Sequence, residues 1–205
     1  MAYHFLKVCA ATPKLAVGDC KYNTEQILHC LERSSEDKAS LTLFPELCIT
    51  GYTCANLFFQ TTLLEETEKS ITRILEESKK HEQIIIIGAP VSHEGNLYNT
   101  AIVILKGEIL GIVPKTYLPN YNEYYEKRWF HSAHDMVTQT ITYCGFTVPF
   151  SPYILFKAQN IPYLSLAIEI CIWYISIMSI LDRLNISITN SIKLNTYAVE
   201  RRIMI

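Results

Sequence analysis

The sequence predicts an α/β domain. Stretches with apolar residues at helical spacing alternate with short apolar runs that read as strands. Two pairs of such runs are separated by turns centred on Gly107 and Gly145, as in β-hairpins. With 205 residues, 49% of them hydrophobic and 19% charged, the chain can bury one sizeable core.

Phe5 to Ala11 is apolar and partly alternating, which predicts a first strand. Asn23, with Gln26 in capping-box position, predicts a helix to about Arg33. Leu41 to Phe44 is a short strand delivering Glu46. From Thr62 to Lys80, Leu63, Leu64, Ile71, Ile74 and Leu75 share one face while Glu65, Glu66, Lys69 and Lys79 lie mostly off it, the pattern of an amphipathic helix. Its acidic start and basic end suit the helix dipole.

Ile84 to Gly88 is a continuous apolar run of the kind buried on both faces. Asn99 to Leu105 and Ile109 to Val113 flank Lys106, Gly107 and Glu108 as a hairpin whose second arm ends at Pro114 and Lys115. Lys115 to Asp135 is aromatic, charged and aperiodic, as a functional loop with a helical turn would be. Thr138 to Tyr143 and Phe146 to Val148 form a second hairpin, and Tyr163 to Ile170 is a strand running into Cys171.

Composition excludes several function classes. A formal net charge of -2 and the lack of a basic tract interleaved with aromatics give no footprint for nucleic acid. The cysteines at 9, 20, 30, 48, 54, 144 and 171 form no CxxC pair and are odd in number, so they read as reduced and cytoplasmic. Scattered histidines give no metal site. The opening MAYHFLKVCAAT has no basic start, long apolar run and small-residue cleavage site, so no signal peptide is expected.

Three predicted strands each end on a chemically distinctive residue: Glu46 in LFPELCITGY, Lys115 in LGIVPKTYLPNYNEYYEKRWF and Cys171 in LSLAIEIC. Attack of a thiol on a carboxamide needs a base to take the thiol proton and a cation or backbone donors to hold the oxyanion. A carboxylate, an ammonium and a thiol supply those parts. Singly, each would be read as a loop residue or one cysteine among seven.

The surrounding sequence resembles the nitrilase superfamily of carbon-nitrogen hydrolases, and within it the N-terminal glutamine amidohydrolase domain of glutamine-dependent NAD(+) synthetases. FPELCITGYTCANLF, LYNTAIVILKGEILGIVPKTYLPNYNEYYEKRWF and TYCGFTVPFSPYILFKAQNIPYLSLAIEIC carry the likeness, in order and spacing. It implies a four-layer αββα sandwich, incomplete at its C-terminus, with residues 1–171 as the amidohydrolase domain and 172–205 as its divergent tail. It implies Glu46 as general base, Lys115 as oxyanion partner and Cys171 as the nucleophile that forms a glutamyl thioester. Glu126 matches a second glutamate that would keep Lys115 charged and oriented, with Glu123 as its neighbouring competitor. Tyr121 matches a tyrosine shaping the glutamine pocket, although core packing explains an aromatic there equally well.

The same resemblance implies no cofactor for the amidohydrolase step, glutamine as substrate, a synthetase ligase domain or chain as partner, and self-association. ATP and magnesium would belong to the ligase domain, whose glycine-serine-rich phosphate loop has no counterpart here. GEILGIV reads as a hairpin arm. After EIC the family continues Glu-Asp-Leu-Trp, whereas this chain has Ile172 and Trp173, and the likeness nearly stops. Two further readings follow: a noncatalytic binding or regulatory remnant, and a nitrilase-superfamily hydrolase of another small amide. Leu164 to Leu181 is long and apolar enough to raise a membrane span, but Glu169 lies inside it and basic flanks are sparse, so no membrane partner is expected.

Overall fold

The structure is a computed structural model that describes residues 6–134, 136–137, 139–161, 164–170 and 199–203. The expected nucleophile Cys171, the end of the apolar run to Leu181 and most of the tail lie outside the described residues.

Strands β1 (Val8–Ala10) and β2 (Leu41–Leu43) are joined by helix α1 (Cys20–Glu36). Helix α2 (Thr61–Ser78) follows a 3₁₀ turn at Ala55–Phe59 and leads to β3 (Ile84–His93), β4 (Asn96–Leu105) and β5 (Glu108–Pro114). A second 3₁₀ turn, Glu126–Arg128, precedes β6 (Gln139–Tyr143), β7 (Phe146–Phe150), β8 (Ile154–Ala158), β9 (Ser165–Ala167) and β10 (Val199–Ile203). Seven strands form a mixed sheet in the order β1-β2-β3-β4-β5-β7-β6, and three form a second sheet in the order β10-β8-β9.

Strand periodicity explains the layering. Alternate residues of β3 face opposite ways: Ile85, Ile87, Ala89 and Val91 join a core with Ile27, Leu31, Ile71 and Ile74 of the helices, while Ile84 and Ile86 join a second core with Ile154 and Phe156 of β8. Both faces of the large sheet are thereby covered, and the run IIIIGAPV needs no polar face. Helices, large sheet and small sheet make three layers among the described residues. The second helical layer of the expected sandwich is not among them.

Three two-residue turns set the hairpin registers. Glu94-Gly95, Lys106-Gly107 and Cys144-Gly145 each have both residues at positive φ, the pattern that matches strand twist. They close the pairs His93 with Asn96, Leu105 with Glu108, and Tyr143 with Phe146.

Helix α1 departs from the expectation at its start. Asp19, not Asn23, is its N-cap, its Oδ1 accepting from Tyr22 N at 2.9 Å. Asn23 is fully buried one turn inside, where its Nδ2 donates to Ala16 O at 2.8 Å and Ile49 O at 3.0 Å, fastening two loops to the helix. The sequence reading also missed β8, a five-residue strand with no alternation to mark it. Strand β1 is shorter than Phe5 to Ala11, and β3 runs beyond Gly88 to His93.

Candidate active site

Strands β2, β3 and β5 run in one direction, since β2 and β3 are parallel and β3, β4 and β5 are successively antiparallel. The carboxyl ends of parallel strands are where α/β sheets gather ligand-binding groups. Glu46 leaves the end of β2 there, and Lys115 follows the last residue of β5.

Backbone bonds fix both. Phe44 N donates to Ile86 O at 2.9 Å, tying the exit of β2 to β3. The chain then turns through Leu47, a buried non-glycine residue at φ 51, an uncommon conformation for a bulky side chain. Lys115 N donates to Asn99 O at 2.8 Å, and Lys115 O accepts from Ala133 N at 3.0 Å.

The side chains converge. Lys115 Nζ donates to Glu46 Oε1 at 2.6 Å and to Glu126 Oε1 at 2.8 Å. Lys115 and Glu126 side chains are each 2% exposed and Glu46 is 20% exposed, so the ammonium is enclosed between two carboxylates while one carboxylate reaches solvent. A buried ammonium is tolerable only when paired. Glu126 enters from the 3₁₀ turn, where its N–H donates to Pro119 O at 3.2 Å. Glu123 is exposed, and Lys115 is bonded to Glu126.

Two further residues belong to the site that the sequence reading did not single out. Asn99 is fully buried, and its Nδ2 donates to Glu46 Oε1 at 2.5 Å. Tyr52 donates its hydroxyl to Glu126 Oε1 at 2.5 Å. The available signal for Asn99 was its register: Thr100 pairs with Pro114, which sets Asn99 opposite Lys115. Tyr52 had no local signal, because only the fold brings it to Glu126.

Electrostatics follow from burial. Burial pushes the Glu126 carboxyl above its ordinary value, and the charge of Glu46 adds to this, against the hydrogen bonds from Lys115 and Tyr52. Burial and the bond to Glu126 push the Tyr52 hydroxyl well above the usual tyrosine range, so it is a neutral donor. Glu126 Oε2 and Asn99 Oδ1 are buried without a hydrogen-bond partner among the described residues.

Glu46, Tyr52, Lys115, Pro119, Tyr121, Tyr124 and Glu126 line a pocket of about 270 Å³. The Tyr121 ring stands 5.8 Å from that of Tyr124, which stands 6.4 Å from Tyr52, so Tyr121 is part of an aromatic wall at the surface and not core packing. Ile168, Glu169 and Ile170, the residues leading to Cys171, line a neighbouring pocket with Phe44, Pro45 and Glu46. Glu46 Oε1 carries both hydrogen bonds, from Lys115 and from Asn99. No group of three or more metal-ligating side chains occurs among the described residues, and no described helix is long and apolar enough to cross a membrane.

The carbon-nitrogen hydrolase family model matches residues 8–172. The chain is 36% identical over 167 residues to the glutamine-dependent NAD(+) synthetase of Mycobacterium tuberculosis, covering 82% of this chain and 24% of that protein. It is also 36% identical over 130 residues to that of Aquifex aeolicus, covering 63% and 23%. The chain therefore spans about a quarter of the length of these curated relatives. Among solved structures, a glutamine-dependent NAD(+) synthetase from Cytophaga hutchinsonii superposes with a TM-score of 0.66 at 26% identity, over 77% of this chain and 28% of that one. An amidase from Nesterenkonia sp. shares the fold with a TM-score of 0.56 at 18% identity, over 74% and 55%. The chain belongs to the carbon-nitrogen hydrolase family of the nitrilase superfamily, and its relatives include the N-terminal part of glutamine-dependent NAD(+) synthetases.

Proposed function

We propose that this chain is a glutamine amidohydrolase of the NAD-synthetase type, converting glutamine and water to glutamate and ammonia. The observation that carries the reading is the Glu46–Lys115–Glu126 arrangement, a solvent-reaching carboxylate beside a buried, doubly paired ammonium.

In this mechanism the Cys171 thiol gives its proton to Glu46 Oε2 as its sulfur attacks the carboxamide carbon. The oxyanion forms against the Lys115 ammonium, which Glu126 holds in place and Tyr52 helps fix through Glu126. The carbon-nitrogen bond breaks, and ammonia leaves with the proton from Glu46. Water then attacks the thioester carbon, giving its proton to Glu46, the carbon-sulfur bond breaks, and glutamate departs as the sulfur takes that proton back and the thiol is restored. Tyr121 forms part of the glutamine pocket wall. The ammonia would pass to a synthetase ligase domain or partner chain, where ATP and magnesium act.

A second reading, a noncatalytic fragment, draws on Ile172 directly after Cys171, where the family carries an acidic pair. Covalent labelling separates the two. A thiol-reactive glutamine analogue should modify Cys171 ahead of the other cysteines. Burial pushes the Cys48 thiol up to about 12 and that of Cys144 up to about 11, which suppresses their thiolates. Glu46→Gln should slow the labelling. Equal labelling of several cysteines, or none on Cys171, would support the fragment. Competition by glutamine but not by acetamide would set the substrate apart from other small amides.

A further inference from the structure

Gly88 lies on β3 where the Pro45–Leu47 segment crosses it. A β-carbon at this position would stand 2.4 Å from Leu47 N, 2.5 Å from Pro45 O and 2.8 Å from the Glu46 carbonyl carbon. All three are backbone atoms, so no side chain can swing aside to admit it. The segment is also held down from beyond Glu46: Ile49 N donates to Gly88 O at 3.3 Å, the Cys48 thiol donates to the same oxygen at 3.5 Å, and Gly51 N donates to Leu47 O at 2.8 Å. Leu47 at φ 51 completes a bend with little freedom to shift. Glu46 is thereby pressed onto the sheet at a height set by the bare α-carbon of Gly88.

We infer that Gly88 is a positioning residue for Glu46: its missing side chain lets the bend sit at the depth that brings the carboxylate to Lys115 and Asn99. Relief of the contact in Gly88→Ala requires the bend to lift by about 1 Å, a misplacement that costs roughly a hundredfold in rate at a reacting centre. Gly111 on β5 is the internal control. A β-carbon there would meet only side-chain atoms, Ile154 Cδ1 at 3.1 Å and the Phe156 ring at 3.3 Å, away from Glu46.

The inference rests on the amidohydrolase reading only for its kinetic measurement. Wild type, Gly88→Ala and Gly111→Ala of the full 205-residue chain would be compared by cooperative melting, by the ¹⁵N signal and proton-exchange protection of the Lys115 ammonium, and by kcat and KM for ammonia release from glutamine. Gly88→Ala is expected to melt cooperatively, lose the protected Lys115 signal and drop kcat by about a hundredfold with KM little changed, while Gly111→Ala keeps both. A Gly88→Ala chain with the wild-type lysine signal overturns the inference. If wild type releases no ammonia, the amidohydrolase reading fails and the lysine signal alone decides the role of Gly88. If Gly88→Ala does not fold, the Gly88→Ala/Leu47→Gly double variant, whose bend is free to move, takes its place. Folding of that variant with the lysine signal lost supports the inference, whereas a retained signal, or failure to fold, overturns it, the latter because the glycine then serves the fold and not the carboxylate.

Discussion

Asn99 and Lys115 face each other across the β4–β5 hairpin, joined by the 2.8 Å bond from Lys115 N to Asn99 O, and both side chains end on the same oxygen, Glu46 Oε1. The hairpin is thus a rigid fork that grips one carboxylate oxygen and leaves the other open. The rotational freedom of Glu46 is restricted by these two bonds, a preorganisation that the proposed general base would use.

Asn99→Ala should therefore impair the base without breaking the ion pair. A hydrogen bond to a charged group contributes about 1.5–3 kcal/mol, and kcat/KM for glutamine should fall by about 10- to 100-fold. Asn99→Asp should be worse, because it sets a second carboxylate against Glu46. Steady-state ammonia assays of both variants, with melting curves to confirm folding, check the order.

Lys115→Met should abolish turnover and also destabilise the chain, in contrast to a purely electrostatic lysine at a surface. Removing the ammonium leaves the buried Glu126 carboxylate and its neighbour Glu46 uncompensated, at a cost of about 3–5 kcal/mol at pH 8. The Glu126 carboxyl, whose folded value is raised by burial, contributes stability that is full below the unfolded carboxyl value and is lost as pH rises through the raised one. Urea denaturation should find the variant closer to wild type at pH 5 than at pH 8, and adding Glu126→Gln should restore stability at pH 8 without restoring activity.

Tyr52 makes a separate prediction at alkaline pH. Its hydroxyl is held well above the ordinary tyrosine value in the folded chain, by burial and by Glu126, so the unfolded chain loses this proton first. Stability is full below the unfolded value of about 10 and falls as pH rises beyond it. Tyr52→Phe should flatten part of that alkaline loss while leaving the melting temperature between pH 8 and 9 lowered by the missing bond to Glu126. Thermal melts from pH 8 to 11 test both.

Glu46 and Lys115 stood out in the sequence because each lies at or just beyond a predicted strand end inside a stretch that resembles the carbon-nitrogen hydrolases, and the structure brings the two side chains together. Glu126 came from the same resemblance, with Glu123 as its neighbouring competitor; the chain turn at Glu126–Arg128 buries Glu126 against Lys115 and leaves Glu123 exposed. Asn99, Tyr52 and Gly88 were not legible as site residues. Asn99 acts through strand register, Tyr52 reaches Glu126 from 74 residues away, and Gly88 is defined by what crosses over it. The α1 cap was misread because Asn23 has the chemistry of a cap but is used as a buried tie between loops. Strand β8 escaped because its five residues show neither alternation nor a turn signal of the hairpin kind.

The most direct test is glutamine-dependent ammonia release by the purified 205-residue chain beside Cys171→Ala, with circular dichroism on both. The amidohydrolase account predicts release by the wild type that disappears in Cys171→Ala while the spectra coincide. A folded wild type that releases no ammonia, or a Cys171→Ala chain that releases it equally, would contradict that account.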